Sequence, residues 1–222
     1  LAVIGELSSS IAHEIRNPLA SLKSSIELLK DESIPLENRR RLMDIAIDEM
    51  ERLNKFITDF LAYSRPSPCE FTVFDLNILI DDIVELLKKM VEEKDIKIIK
   101  NYNGKVLIKA DPQKMKQVLW NLGINAIESM EGKGGVLTIS TTEQSNNIRV
   151  IVKDTGIGIK DEDKQKIFYP FYTTKQNGTG LGLAIAYRII EEHSGSLFVN
   201  SEYGFGTTFE IILKKENERA ER

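Results

Sequence analysis

The feature that most constrains this chain is a change of hydrophobic period at Pro66 and Pro68. Before it, apolar side chains recur every three or four residues, at Ile4, Leu7, Ile11, Ile15, Leu22, Ile26 and Leu29. A second series follows at Leu42, Ile45, Met50, Leu53, Ile57, Phe60 and Leu61. Such spacing draws one apolar stripe down a helix. Ser33 and Pro35 separate the two series, proline suiting the first turn of a new helix, and the two later prolines end the second. Two long helices joined by a short loop make an antiparallel hairpin, and one hairpin cannot enclose a core. A second copy, giving a four-helix bundle across a dimer, is the expected solution. Packing against an upstream segment is the alternative.

Beyond residue 70 the elements shorten and interleave. Residues 71–74 read as a strand and 75–95 as a helix. Two strands follow at 96–102 and 105–110, with Asn103-Gly104 as the turn between them. Asp111-Pro112 opens a helix that runs to residue 130. Residues 135–142 and 148–153 alternate as a hairpin, a glycine-punctuated stretch covers 154–182, and a helix follows over 183–193. Strands at 197–201 and 207–213 close the sheet around Gly204 and Gly206. The fold class expected is an N-terminal helical hairpin followed by a C-terminal α/β sandwich with a mixed sheet.

Composition narrows the function. Hydrophobic residues make up 41% and charged residues 29% of the 222 residues, a globular mixture rather than a disordered or fibrous one. The net charge of −4 gives no general attraction for nucleic acid, so any nucleotide must be held by a local site. The single cysteine, Cys69, cannot form an internal disulfide, which fits a reducing cytoplasm, and nothing beside it in sequence would activate it. No apolar run approaches the ~20 residues that span a bilayer, and no signal peptide is recognisable. The opening LAVIGEL is already in helical pattern without an N-cap, as in a piece of a longer protein. Any membrane or sensor region would therefore lie upstream.

Several stretches carry chemistry. GTGLGLAI sets Gly178, Gly180 and Gly182 before a helix, where backbone N–H groups can approach an anion. No Gly-Lys-Ser/Thr follows and no strand immediately precedes, so neither the triphosphate P-loop nor the dinucleotide fingerprint fits. By itself such a loop is as readily a plain turn. Asp154-Thr155-Gly156-Ile157-Gly158 ends a strand, and its carboxylate can accept a hydrogen bond from an exocyclic amine or simply cap the turn. Asn121 and Asn125 share one helix face at i,i+4, and two amides could coordinate a hydrated Mg²⁺ and a phosphate or merely face solvent. IFYPFYTTK places Phe168, Pro170 and Phe171, then Lys175, before the glycine loop, as a hinged lid over a nucleotide would.

Near the start lies SSIAHEIRNP, with one of only two histidines. On a helical wheel His13 falls about 175° from the centre of its own apolar stripe, so it points outward and is not a core histidine. No second His, Cys or carboxylate cluster has metal-ligand spacing around it. An inert surface histidine and a nucleophilic imidazole both remain open.

In this order, the four C-terminal stretches resemble the N, G1, F and G2 boxes of the ATP-binding domain shared by gyrase, heat-shock chaperones, MutL and histidine kinases. HEIRNP resembles the phospho-acceptor box of sensor histidine kinases in two-component signalling. The resemblance implies an ATP-dependent autokinase in which His13 attacks the γ-phosphate, Glu14 takes or orients the imidazole proton, and Asn17 serves the reverse, phosphatase-type reaction. It implies that Asn125, with Asn121 as a second candidate, contacts Mg²⁺ and the phosphates. It implies that Asp154 binds adenine, with Gly156 and Gly158 shaping its pocket. Phe171, Lys175, Gly178, Thr179, Gly180, Leu181, Gly182 and Leu183 would cover the triphosphate.

The same resemblance implies a homodimer through residues 1–65 and a response-regulator receiver domain docking near Lys23, Ser24 and Glu27. No nucleic-acid partner is expected, and membrane attachment only through an upstream region, which makes this the cytoplasmic portion of a sensor. The organisation expected is a dimerisation and phospho-acceptor hairpin over 1–65, a linker over 66–70, an ATP-binding domain over 71–216 and a tail over 217–222. The chain departs from the family at one place, and a further position separates two enzyme classes. Many members carry a lysine three residues after the second asparagine and then an aromatic, where this chain has Glu128 and Ser129; Lys114 or Lys175 would have to replace that phosphate contact. Gyrase- and chaperone-type ATPases carry a water-activating glutamate where this chain has Asn121, which is no base and so favours a kinase over a hydrolase.

Overall fold

The first apolar stripe becomes α1 (Ala2–Leu29), which continues through Pro18, and the second becomes α2 (Leu36–Ser64). The computed structural model describes residues 2–215 except 32, 66, 103, 145, 176 and 177, and for residues 2–10 and 12–14 it describes the helical backbone alone. The side chains of Ile4, Leu7, His13 and Glu14, and the tail over 217–222, lie outside the described residues. Between the helices, Asp31 Oδ1 accepts hydrogen bonds from Ser33 N at 2.9 Å and Ser33 Oγ at 2.6 Å. Pro35 is the N-cap of α2 rather than part of its first turn, because its ψ of 144° is extended.

The chain divides into two units, one of Leu1–Pro66 with Phe171–Leu181 and one of Ser67–Pro170 with Gly182–Arg222. Within the first, the hairpin buries only part of its stripes. Ile26, Met50, Ile57 and Leu61 are 48%, 52%, 42% and 55% exposed, whereas Ala46 and Phe56 are buried. Phe56 lies off the stripe read from sequence. It is covered because Phe60 stacks on it at 6.5 Å between ring centroids and Phe171, from the 171–181 segment of the same unit, tilts against it at 6.4 Å.

The second unit contains β1 (Thr72–Asp75), α3 (Leu76–Met90), β2 (Ile96–Asn101), β3 (Leu107–Ala110), α4 (Pro112–Ser129), β4 (Gly135–Gln144), β5 (Asn147–Asp154), α5 (Gly182–Glu192), β6 (Ser196–Glu202) and β7 (Gly206–Lys214). The sheet runs β2-β4-β5-β7-β6, with β2 parallel to β4 and the other neighbours antiparallel, so it is mixed as expected. One sheet face supplies Leu137, Ile139, Ile148, Val150, Val152, Phe209, Ile211 and Leu213 to the core. Against them α4 buries Met115, Val118, Leu119, Leu122, Ala126 and Ile127, and α3 and α5 bury their own apolar faces. Gly123 lets α3 and α4 approach closely, since a Cβ there would meet Leu87 Cδ1 at 2.6 Å.

One expectation fails. β2 and β3 are not a hairpin: β2 pairs with β4, and β3 pairs antiparallel with β1 in a separate two-stranded sheet. The reason is that the chain after Gly104 is captured by the start of α3. Leu76 N donates to Val106 O at 2.8 Å, Asp75 Oδ1 accepts from Val106 N at 3.2 Å, and the buried Asn77 Nδ2 donates to Gly104 O at 2.9 Å. These bonds outweigh the local turn signal.

Candidate functional site

Asp154 ends β5 only 3% exposed, at the point where the strand gives way to a glycine-rich loop. Its Oδ1 accepts from Gly156 N at 2.8 Å, Thr207 N at 3.2 Å and Ser129 Oγ at 3.2 Å. Among the described residues every hydrogen bond from another residue falls on this one oxygen and none on Oδ2. Burial pushes the carboxyl above its ordinary range, opposed by the donors from Gly156, Thr207 and Ser129.

The loop after Asp154 is fixed at both ends. Ile157 N donates to Ser129 O at 3.0 Å, Ile159 N to Ser201 Oγ at 2.8 Å, and Gly204 N to Ile157 O at 2.7 Å. Two glycines make the closeness feasible. A Cβ on Gly156 would fall 2.0 Å from Ser129 Oγ, and one on Gly206, whose φ is +123°, would fall 2.2 Å from Asp154 O. The α4 C-terminus and the β6–β7 turn therefore grip the loop from two sides.

One turn before and again within the last two turns of α4 stand Asn121 and Asn125. Asn121 Nδ2 donates to Gly182 O at 2.9 Å, tying α4 to the first residue of α5. With the amide nitrogen so used, the side chain keeps Oδ1, the kind of oxygen donor a hard cation accepts. Among the described residues no group of three or more His, Cys, Asp or Glu could hold a metal ion. Any cation here would depend on amide oxygens and on its ligand's phosphates.

The segment Phe171–Leu181, expected from sequence to form a lid, belongs to the other unit. Phe171 N donates to Gly180 O at 3.0 Å and closes the segment, with Phe171 at φ 66°, a left-handed conformation unusual for a bulky residue. Inside it, Lys175 N donates to Thr173 Oγ1 at 3.1 Å and Gly178 N to Lys175 O at 3.3 Å. Thr179 Oγ1 donates to Asp59 Oδ2 of α2 at 3.3 Å, and Leu181 N to Thr179 Oγ1 at 3.4 Å. Burial raises the Asp59 carboxyl above its ordinary range against Lys55 and the Thr179 bond. Leu183 lies in the first turn of α5 within the second unit. In α1, Asn17 is exposed, as are Lys23, Ser24 and Glu27.

Two sequence readings change. Lys114 is not available to replace the missing phosphate contact, because its ammonium donates to Glu192 Oε2 at 2.6 Å, Ser67 O at 2.7 Å and Cys69 Sγ at 3.2 Å. Cys69, without a partner in sequence, gains these neighbours through the fold. Ser129 and Thr207 were missed as site residues. Thr207 follows a turn glycine, a weak signal, and Ser129 stood out only as a departure from an aromatic.

Two family models match the chain. The His Kinase A (phospho-acceptor) domain matches residues 3–68, and the histidine kinase-, DNA gyrase B- and HSP90-like ATPase matches residues 110–217. Sporulation kinase C of Bacillus subtilis (strain 168) is 36% identical over 215 residues, covering 96% of this chain and 49% of that protein. Sensor histidine kinase ZraS of Escherichia coli (strain K12) is 34% identical, covering 96% of this chain and 46% of that protein. The chain thus spans about half the length of these relatives. Among solved structures, histidine kinase ThkA in complex with response regulator protein TrrA superposes with a TM-score of 0.84 at 33% identity, covering 99% of this chain and 64% of that one. The catalytic domain of ThkA alone superposes at 0.61 with 37% identity, covering 66% of this chain and 96% of that one.

Proposed function

The chain belongs to the histidine kinases of two-component signalling, and from that premise we propose that it is an ATP-dependent autokinase that phosphorylates His13 and passes the phosphoryl group to an aspartate of a response-regulator receiver domain. The observation that carries the reading is the Asp154 carboxylate, with Oδ1 saturated by three donors and Oδ2 open to the exocyclic amine of adenine. Gly156 and Gly158 shape that pocket. By the family resemblance, Phe171, Lys175, Gly178, Thr179, Gly180, Leu181, Gly182 and Leu183 are the residues assigned to the triphosphate.

Asn125, and Asn121 through Oδ1, are the residues that would hold Mg²⁺. When bound, the cation neutralises charge on the phosphates. The chemistry then belongs to the chain's own groups. An imidazole nitrogen of His13 attacks the γ-phosphorus, the bond to the β–γ bridging oxygen breaks, ADP leaves, and Glu14 takes the imidazole proton. Asn17 positions water on the same helix face for dephosphorylation of the partner. Asn121 cannot act as a base toward water, and its amide is tied to Gly182 O, which supports transfer over hydrolysis.

The domain division proposed is a phospho-acceptor hairpin over 1–65, a linker over 66–70 and an ATP-binding domain over 71–216. β1 and α3 lie ahead of residue 110 yet pair and pack with β3 and α4, which supports starting that domain near 71. The hairpin's exposed apolar stripe supports dimerisation through 1–65. Among the described residues no helix is long and apolar enough to cross a membrane. We place this portion of the protein in the cytoplasm, where ATP and response regulators are found.

The test is incubation with Mg²⁺ and γ-labelled ATP beside a His13→Gln variant. Acid-labile, alkali-stable label on the protein, absent from the variant, is the expected result. Steady phosphate release without protein label, equal in both proteins, would replace the kinase reading with an ATPase clamp.

A further inference from the structure

We propose that Ser129 is a positioning residue for nucleobase recognition: its hydroxyl holds the Asp154 carboxylate in the rotamer that presents Oδ2 to an exocyclic amine. The proposal rests on the nucleotide-site reading above and deepens it.

Three observations support it. First, Ser129 Oγ lies 3.2 Å from Asp154 Oδ1, and it is the one side-chain donor among that oxygen's three partners. Gly156 N and Thr207 N reach Oδ1 from the loop and from β7, and Ser129 reaches it from the end of α4. Donors from three elements converge on Oδ1, and holding that oxygen of a planar carboxylate turns Oδ2 the opposite way. Second, the Asp154 side chain is buried and none of its three neighbouring donors falls on Oδ2, so that oxygen is the acceptor a ligand's amine would meet. Third, Ser129 is locked against the loop it serves. Its carbonyl accepts from Ile157 N at 3.0 Å, and its hydroxyl sits where any side chain on Gly156 would have to go. A larger residue at 129 would meet that loop, so a small hydroxyl side chain suits both demands.

A competing role exists. The Ser129 hydroxyl carries one hydrogen and also lies 2.7 Å from Ala126 O, whose usual helical donor, Met130 N, bonds to Ile127 O and Glu128 O instead. A serine that only finishes the helix would support the fold without reading the base. The two roles differ in what the ligand feels. A helix cap affects every nucleotide equally. A carboxylate-positioning hydroxyl matters only for a base bearing an exocyclic amine.

The experiment is calorimetric titration of the whole chain and its Ser129→Ala variant with ADP and with purine riboside 5′-diphosphate, which has the same phosphates and ribose but no exocyclic amine. Alanine removes the hydroxyl without adding bulk, so the variant folds. The expected result is about a tenfold loss of ADP affinity in the variant, as for loss of a hydrogen bond to a charged group, with less than a twofold change for the deaminated nucleotide. Equal losses for both nucleotides, or no loss for either, overturn the proposal while leaving the nucleotide site standing. Failure of the unaltered chain to bind ADP overturns both readings together, and is distinguished by appearing before any substitution is made.

Discussion

The imidazole of His193 joins two helices: its Nε2 accepts a hydrogen bond from the backbone N–H of Asp111 at 2.9 Å, while Nδ1 lies 2.7 Å from Ile189 O one turn back along α5. With Nε2 accepting from Asp111, Nδ1 is the nitrogen left to donate to Ile189 O. Asp111 is the N-cap of α4, its Oδ1 accepting from Gln113 N and Lys114 N and its Oδ2 from Glu70 N. The ring also tilts against Phe71 at 5.0 Å between centroids. One residue therefore ties the end of α5 to the start of α4 and to the strand-leading segment that reaches it. His193→Phe keeps an aromatic ring beside Phe71 but leaves the Asp111 N–H without its acceptor. The expected cost is about 1–3 kcal/mol, read as a fall of several degrees in thermal unfolding of the second unit. An unchanged midpoint would show that the imidazole bonds contribute nothing net.

The same corner holds the Lys114–Glu192 pair, closed at 2.6 Å with the lysine side chain 11% exposed. For Glu192, burial acts to raise the carboxyl, but the Lys114 ammonium, joined by Cys69 and Arg188, outweighs it and holds the group below its ordinary 4.5. A carboxyl depressed in the folded state contributes stability that is fully present above 4.5 and disappears as pH falls through the lower folded value. Glu192→Gln should therefore unfold at a lower temperature than the unaltered chain at pH 7, and the gap should close between pH 4.5 and the acid limit. A gap that stays constant down to pH 3 would assign the difference to packing rather than charge.

How far the sequence could be read depends on how local each signal was. The hairpin, the Asp111 N-cap and the β4–β5 and β6–β7 pairs rest on periodicity and turn residues within a few positions, and each formed. The strand pairing of β2 and β3 is different, because Asn103-Gly104 is a turn signal whose outcome was decided by Asn77 and Leu76 on another element. At the site, Asp154 and Asn121 stood in recognisable motifs, and the fold sets Asp154 against Gly156, Thr207 and Ser129, and Asn121 against Gly182. Ser129 and Thr207 meet only because the end of α4 and the start of β7 converge on Asp154, a contact across 25 and 53 positions that no spacing announces. Lys114 shows the converse. As a cation near the N-box helix it looked suited to phosphate, and burial beside Glu192 removed it from that role.

The exposed stripe of α2 gives the last expectation. Met50, Ile57 and Leu61 stand at i, i+7 and i+11, so they share one face, and all three are 42–55% exposed in a single chain. A lone hairpin with such a face loses the hydrophobic gain of covering it, and a second copy would supply the cover in a four-helix bundle. Ile57→Lys places a charge in the middle of that face. If the face is a dimer interface, the charge must be buried there without a partner, and the dimer dissociation constant should rise at least about a hundredfold, roughly 2.7 kcal/mol. Sedimentation velocity at micromolar concentration would then show a monomer, while ADP binding by the second unit, which contains Asp154 and Asn121, stays unchanged. If the face is simply wet, the substitution is an ordinary surface change worth within about 0.5 kcal/mol, and the sedimentation coefficient does not move. That second result would remove the dimer from the proposed function and leave the nucleotide site untouched.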